Sequence, residues 1–228
     1  MKLLAIDTTE AGCSAALLIN GEIRERYEIA PRTHSDLILP MMDSLLNEAG
    51  LSVNGLDGLG FARGPGSFTG VRIAAAVTQG LAVAANLPVV PVSSLLALAQ
   101  GARRVYTAER VLAGFDARMN EVYWASCEMS EDGIMQLCGD EQVCSPQEVA
   151  IPDDRGWCGV GSAWEAYENI LTERLGKKIS SFEADVFVHA QDVAVLAAHG
   201  LETGQAVSAE FAVPVYLRDQ VAKKKAER

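Results

Sequence analysis

Gly64-Pro65-Gly66-Ser67-Phe68-Thr69-Gly70 leads into a run, Val71 to Asn86, in which Arg72 is the one charged residue. Three glycines and a proline within seven residues belong in a tight turn, because no helix or strand interior tolerates them. Ahead of the turn, Leu59-Gly60-Phe61-Ala62 reads as a buried strand. Behind it, Ser67 or Thr69 can cap a helix over 71–86 whose first backbone N–H groups point back at the loop. Strand, glycine loop and helix N-terminus together make a simple anion cradle. The question is whether this loop holds a phosphate or supports packing.

Toward the N-terminus, residues 2–7 form a strand buried on both faces, being continuously apolar from Leu3 up to Asp7. Residues 8–12 turn the chain, 13–19 and 22–29 form two more strands, and Asn20-Gly21 between them is a strong hairpin signal. Pro31-Arg32-Thr33 ends the sheet. A helix opens at Thr33 or Ser35 and stops at Gly50, and Pro40 must lie in its first turn or kink it. Its apolar positions, Leu37, Ile38, Met41, Met42, Leu45, Leu46 and Ala49, span roughly 180°, wider than the ~100° stripe that one sheet contact needs. The surplus face predicts a second partner, and paired methionines suit an adaptable contact. In the helix over 71–86, Ala76, Gly80 and Ala84 fall four apart on one side. Gly80 there costs about 1 kcal/mol relative to alanine, and close approach by another helix is the usual reason to tolerate it. A strand over 87–92 and a helix from Ser93 to about Arg103 complete the unit.

Residues 1 to about 106 thus read β-β-β-α-β-α-β-α, and from Glu109 the order begins again. Strands are expected over 110–116, 121–128 and 134–137, with Glu131-Asp132-Gly133 turning the hairpin. A short helix near 146–149, a strand over 156–160, a helix over 163–175, a weak strand around Phe187 and a helix over 191–201 follow. No sequence repeat is visible, yet the element order repeats. The duplicated order predicts an α/β protein of the actin-like ATPase (ASKHA, RNase H-like) fold, with lobes over 1–106 and 107–228.

Composition excludes several classes. With 19 basic and 30 acidic residues in 228, the net charge of −11 makes the chain alone a poor nucleic-acid binder. The basic cluster Lys223-Lys224-Lys225 reads as a solvated tail. Five cysteines, an odd number without C-x-x-C spacing, fit reduced thiols in a cytoplasm. Asp7 ends the first apolar run too early for a signal peptide, and no apolar stretch approaches the roughly 20 residues that span a bilayer.

In the actin-like order an Asp ends the first strand of each half and faces a nucleotide across the cleft; Asp7 and Asp116 hold those two places. Thr8, Thr9 and Gly12 in the first hairpin suit approach to a phosphate or a hydrated magnesium ion. The second hairpin, 116–121, lacks glycine and puts Arg118 where backbone should make room. Gly159-Val160-Gly161-Ser162 before a helix is a weak match to an adenosine loop. Asp7, Thr8, Thr9, Gly64, Gly66, Ser67, Asp116, Gly159 and Gly161 therefore outline a vestigial nucleotide cleft. ATP or ADP, there or at a subunit junction, is an allowed rather than a required occupant. Other chemistries fit less well. The loop is neither G-x-x-x-x-G-K-[ST] nor G-x-G-x-x-G, and Ser67 is not in G-x-S-x-G. His34, His189 and His199 form no metal pair. His34 suits a cap or surface contact and His199 a helix end, while Trp124, Trp157 and Trp164 read as core.

Several motifs together resemble the TsaB (YeaZ) family, nearest its enterobacterial type. They are Leu4-Ala-Ile-Asp-Thr-Thr9, Pro31-Arg-Thr-His34, the glycine loop through Arg72, Phe115-Asp-Ala-Arg-Met-Asn-Glu-Val-Tyr-Trp124 and Pro214-Val-Tyr-Leu-Arg218. The resemblance implies a subunit of the machinery that adds threonylcarbamoyl to the tRNA adenosine next to the anticodon. In that machinery TsaD is catalytic, TsaB is its non-catalytic partner and the ATPase TsaE joins them. The metal-binding H-x-x-x-H of TsaD falls here on Ser94 and Leu98, which can hold no metal. The resemblance also implies a helical bundle with TsaD, or a homodimer when the chain is alone. Its expected interface is His34, Leu37, Ile38, Met41, Met42, Leu45, Arg72, Ala76, Gly80 and Ala84. Transfer RNA is then met mainly through the complex. The alternatives are a nucleotide-binding, kinase-like enzyme using Asp7 and Asp116, and a peptidase acting on TsaD.

Overall fold

The computed structural model describes residues 1–218; the Lys223–Lys225 cluster lies outside them. β1 (Lys2–Asp7), β2 (Gly12–Ile19) and β3 (Glu22–Ile29) form an antiparallel meander. Asn20 and Gly21 turn its second hairpin with φ of 48° and 92°, the positive values that a primed two-residue turn demands. After α1 (His34–Glu48), β4 (Gly58–Ala62) joins β1 in parallel. Then α2 (Phe68–Ala85) leads to β5 (Val89–Val92), parallel to β4. The first sheet therefore runs β3-β2-β1-β4-β5. α3 (Ser94–Tyr106) leads to the second sheet.

The second half supplies β6 (Arg110–Asp116), β7 (Val122–Met129), β8 (Met135–Leu137), β9 (Gln142–Cys144) and β10 (Trp157–Val160). α4 (Ser162–Ala166), α5 (Glu168–Leu175), β11 (Ile179–Glu183) and α6 (Ala190–Glu202) follow. Its sheet runs β11-β10-β6-β7-β8, with β9 on the far end of β7.

Three expectations need correction, and one of the two alternatives left for Pro40 is closed. One 3-10 turn, Pro146–Glu148, stands where the first half has α1, and the three-residue β9 precedes it. The helix expected over 163–175 is two helices, broken at Tyr167, whose φ of −134° is not helical. The strand expected around Phe187 lies earlier, at Ile179–Glu183, where two serines on an exposed edge hid its pattern. Pro40 is the seventh residue of α1, beyond the first turn, and lies on the exposed side of the helix.

The two sheets stack with helices between and outside them. α1 and α2 cover one face of the first sheet, meeting Leu4, Ile6, Leu17 and Phe61. α4 and α5 cover the outer face of the second through Trp124, Trp157 and Trp164. The middle layer is exchanged between halves. α3, from the first half, packs on β6, β7 and β8; α6, from the second, packs on β1, β2 and β4. A boundary at 106/107 separates the sheets in sequence, but each sheet is covered by a helix from the other half. Arg104 of α3 holds the buried Asp192 of α6 through bonds of 2.9 and 2.8 Å, joining the exchanged helices directly.

Candidate functional site

A cleft of about 940 Å³ opens between the lobes. Its walls are Thr9 and Glu10 of the first hairpin, Pro31, Arg32 and His34, the loop residues Gly66, Ser67 and Phe68, Asp116 to Met119, Ser162 and Glu165 of α4, and Val215 to Arg218. Of the expected cleft residues, Thr9, Gly66, Ser67 and Asp116 line it. Asp7, Thr8, Gly64, Gly159 and Gly161 sit behind its walls.

The glycine loop is pressed onto the first hairpin. A Cβ on Gly70 would lie 1.9 Å from the Thr8 carbonyl oxygen, and one on Gly66 would lie 2.5 Å from that of Thr9. Glycine here serves close backbone contact. The Ser67 N–H donates to the Thr9 carbonyl at 2.7 Å, and the Thr8 hydroxyl donates to the Gly70 carbonyl at 2.7 Å. Ser67 caps α2 by accepting from the Gly70 N–H at 3.4 Å. The close contacts at Gly66 and Gly70 are thus made within the chain, between the loop and the first hairpin.

Gly159 and Gly161, expected in an adenosine loop, are likewise packed against the chain itself. A Cβ on Gly159 would fall 2.2 Å from the Trp164 indole, which stacks on Phe182 and donates to the Leu112 carbonyl. Gly161, with φ of +100°, is closed by the Gly114 carbonyl and by Leu98. An actin-like fold implies a magnesium nucleotide; the glycines expected to receive it pack against the chain's own atoms, while Thr9, Gly66, Ser67 and Asp116 line the cleft. Among the described residues, no three His, Cys, Asp or Glu side chains converge on a metal position.

Three carboxyls gather beside the cleft, Glu10 and Asp116 on its wall and Asp7 behind it. Asp7 is fully buried; its Oδ1 accepts from the Thr9 N–H (3.1 Å) and hydroxyl (2.6 Å), while its Oδ2 has no partner among the described residues. Burial pushes its carboxyl up to about 7 against those two hydrogen bonds. Glu10 accepts from the Ser162 hydroxyl at 3.0 Å, with its Oε2 buried and unpartnered among the described residues. Burial, with help from Asp7 and Asp116, pushes it up to about 8. Asp116 accepts from the N–H and guanidinium of Arg118, each at 2.8 Å, and from the Tyr167 hydroxyl at 3.3 Å. Arg118, Met119 and Asn120 all have φ near +60°, a left-handed run without glycine.

The expected partner face divides. Ile38, Met42 and Leu45 of α1 are at most 4% exposed and belong to the chain's own core, while His34, 8% exposed, lines the cleft. The wide apolar arc is consumed by the sheet on one side and α2 on the other, with Leu37 and Met41 half-buried against that cluster. On α2 the outcome differs. Arg72, Ala76, Gly80 and Ala84 are exposed, Val83 is 73% exposed, and a Cβ on Gly80 would touch nothing within 4 Å. At 18 residues and mean hydropathy 1.4, α2 also meets the length and composition of a membrane span that the sequence was read as lacking; here one side of it packs on the first sheet. The Arg72 guanidinium lies 3.2 Å from the Phe68 ring centre and 5.0 Å from that of Tyr216. Glu10, Ser162 and Tyr216 were given no role from sequence. For Glu10 the signal was a long acidic side chain in a hairpin otherwise suited to phosphate.

Two sheets in the order found, flanking a cleft with an Asp at the end of the first strand of each half, define an actin-like ATPase-type fold. The family model for TsaD, tRNA N6-adenosine threonylcarbamoyltransferase, matches residues 26–226. The Escherichia coli K12 "tRNA threonylcarbamoyladenosine biosynthesis protein TsaB" is 42% identical over 99% of this chain and 98% of its own length. The Haemophilus influenzae protein of the same name is 40% identical over 99% and 97%. A solved structure, YeaZ from Pseudomonas aeruginosa, superposes with TM-score 0.89 at 45% identity, covering 95% of this chain and 99% of that one. The chain belongs to the TsaB (YeaZ) family, within the wider family matched by the TsaD model.

Proposed function

We propose that this chain is a non-catalytic scaffold or activator subunit of the cytoplasmic machinery that installs threonylcarbamoyl on the tRNA adenosine beside the anticodon. It docks a TsaD-type catalytic subunit through the exposed side of α2, enables a TsaE-type ATPase to join, and meets tRNA through the complex. Alone, the same face pairs two copies. The observation that carries this reading is Gly80, a mid-helix glycine with empty space where its Cβ would be. No described residue comes close enough to call for glycine there, and a helix packed closely from outside does. The packing of both glycine loops against the chain's own atoms supports the absence of a nucleotide-driven activity. So does the burial of Ser94 and Leu98, neither of which can ligate a metal. For a peptidase, burial pushes the Cys13 thiol up to about 12, far from an activated nucleophile.

Co-purification with a TsaD-type subunit tests the reading. Gly80→Leu should fold at least as well as the parent, since leucine is the better helix former, yet fail to retain the partner. Normal complex formation by the folded variant would sink the proposal.

A further inference from the structure

After α6 the chain runs back along α2 as a strap. At one end Val207 exchanges two backbone hydrogen bonds, of 2.9 and 2.8 Å, with Val89, just beyond the C-terminal end of α2. The turn Ala209–Phe211 packs on α2 itself, and Ala212 is buried in the cluster that α2 shares with the first sheet. At the other end the Val215 N–H donates to the Arg63 carbonyl at 2.8 Å, and Tyr216 stands over Arg72 near the start of α2. Residues 207–217 are therefore pinned at both ends and in the middle, and they flank α2 from its C-terminus to its N-terminus.

What the strap exposes is apolar. Phe211 and Val213, on either side of the buried Ala212, are 65% and 50% exposed. Among the described residues eleven large hydrophobics stand exposed, and five of them, Phe68, Val83, Phe211, Val213 and Tyr216, lie on α2 or the strap. Single exposed hydrophobics need no explanation, but a concentration of them marks a surface that another molecule covers. We propose that the strap is the second wall of the docking surface, with Phe211 and Val213 gripping the flank of a partner helix that lies along α2 over Gly80. The inference rests on the proposed docking of a TsaD-type subunit and adds the residues beside α2 that complete it. Such a subunit is a chain of the same wider family, and the matched range, 26–226, includes α2 and the strap, so the subunit carries counterparts of both. Chains of one fold commonly meet through the same patch on each, here helix against helix. Arg72, set beside the Phe68 and Tyr216 rings, makes no ion pair among the described residues and suits a carboxylate on that partner helix.

Calorimetric titration of the full chain with a purified TsaD-type subunit tests the strap, with Phe211→Ser and Val213→Ser combined in one variant. Both side chains are exposed, so the variant should melt within about 4 °C of the parent. Its affinity for the partner should fall about tenfold or more. Val105→Ser, at an exposed site on α3 rather than on α2 or the strap, should bind as the parent does. Parent-like affinity in the folded double variant, with Gly80→Leu unable to bind, overturns the strap and leaves docking through α2 standing. Parent-like affinity in Gly80→Leu overturns docking through α2, and the strap inference falls with it. A double variant that keeps its affinity for the partner but loses self-association in sedimentation assigns the strap to a pair of identical copies, which also overturns the proposal. If the double variant does not fold, Phe211→Ser alone decides by the same readout.

Discussion

Asp7 and Glu10 keep protons that ordinary carboxyls lose, and this ties the stability of the fold to pH. In the unfolded chain they ionise near about 3.9 and about 4.3. In the folded chain they do so at about 7 and about 8. Between those values the folded state binds more protons than the unfolded one, so stability falls as pH rises, by about 1.4 kcal/mol per pH unit for each group. That contribution is fully present below about pH 4 and lost above about pH 8. Asp7→Asn keeps an oxygen for the Thr9 N–H and hydroxyl while removing the buried charge. Urea unfolding across this range should show a shallower slope for Asp7→Asn, and a gain of about 1–3 kcal/mol over the parent at pH 8. An unchanged slope would mean that Asp7 is not the titrating group. A second residue-scale test concerns close contact. Gly70→Ala places a methyl group 1.9 Å from the Thr8 carbonyl, an atom of the backbone that cannot swing aside. A loss of about 2–4 kcal/mol, or failure to fold, is expected in the same assay.

At the scale of elements, α2 separates what its sequence states from what only packing can state. Ser67 as cap, the loop before it and the small-residue side were readable, because turn chemistry and helical periodicity are local. The direction in which that side faces was not readable; it depends on α1 lying against the opposite side. The same limit explains α1, where Ile38, Met42 and Leu45 were read as surplus apolar surface and are core. An apolar arc does not record which neighbour uses it. The loop motif likewise suggested a cradle, and only the position of Thr8 and Thr9 shows how tightly it packs on the first hairpin. Tyr216 is a clearer loss, since its place over Arg72 comes from a segment more than 140 residues away in sequence. Phe68 and Tyr216 are 60% and 47% exposed, so the stack costs the fold little when broken and offers an aromatic–arginine anchor to a partner. Tyr216→Ala should change stability by less than about 1 kcal/mol. It should also weaken binding to a TsaD-type subunit about tenfold or more in calorimetry. Unchanged affinity would confine the docking face to the middle of α2.

The whole molecule is two duplicated halves that cannot be taken apart where the sequence repeats its order. The duplication was legible because strands and helices announce themselves one at a time. The exchange of α3 and α6 was not, because no residue of α6 names the sheet it will cover. Without α6, the face of the first sheet formed by Leu3, Ala5, Ala16 and Leu18 loses its cover, and Arg104 loses Asp192. A chain of residues 1–106 therefore keeps its strands and α1 to α3 but exposes one complete apolar face, with α3 deprived of the second sheet on which it rests. Such a fragment should bind a hydrophobic dye and lack a cooperative thermal transition, although it holds every element of the first unit. Adding a peptide spanning residues 186–212, which carries α6, should reduce dye binding by covering that face. Retention of the Asp192–Arg104 pair should matter to this rescue, so the Asp192→Ala peptide should rescue less well. A cooperatively folding 1–106 fragment with no exposed apolar face would show instead that the first unit is complete, and that the exchanged helix only adds to it.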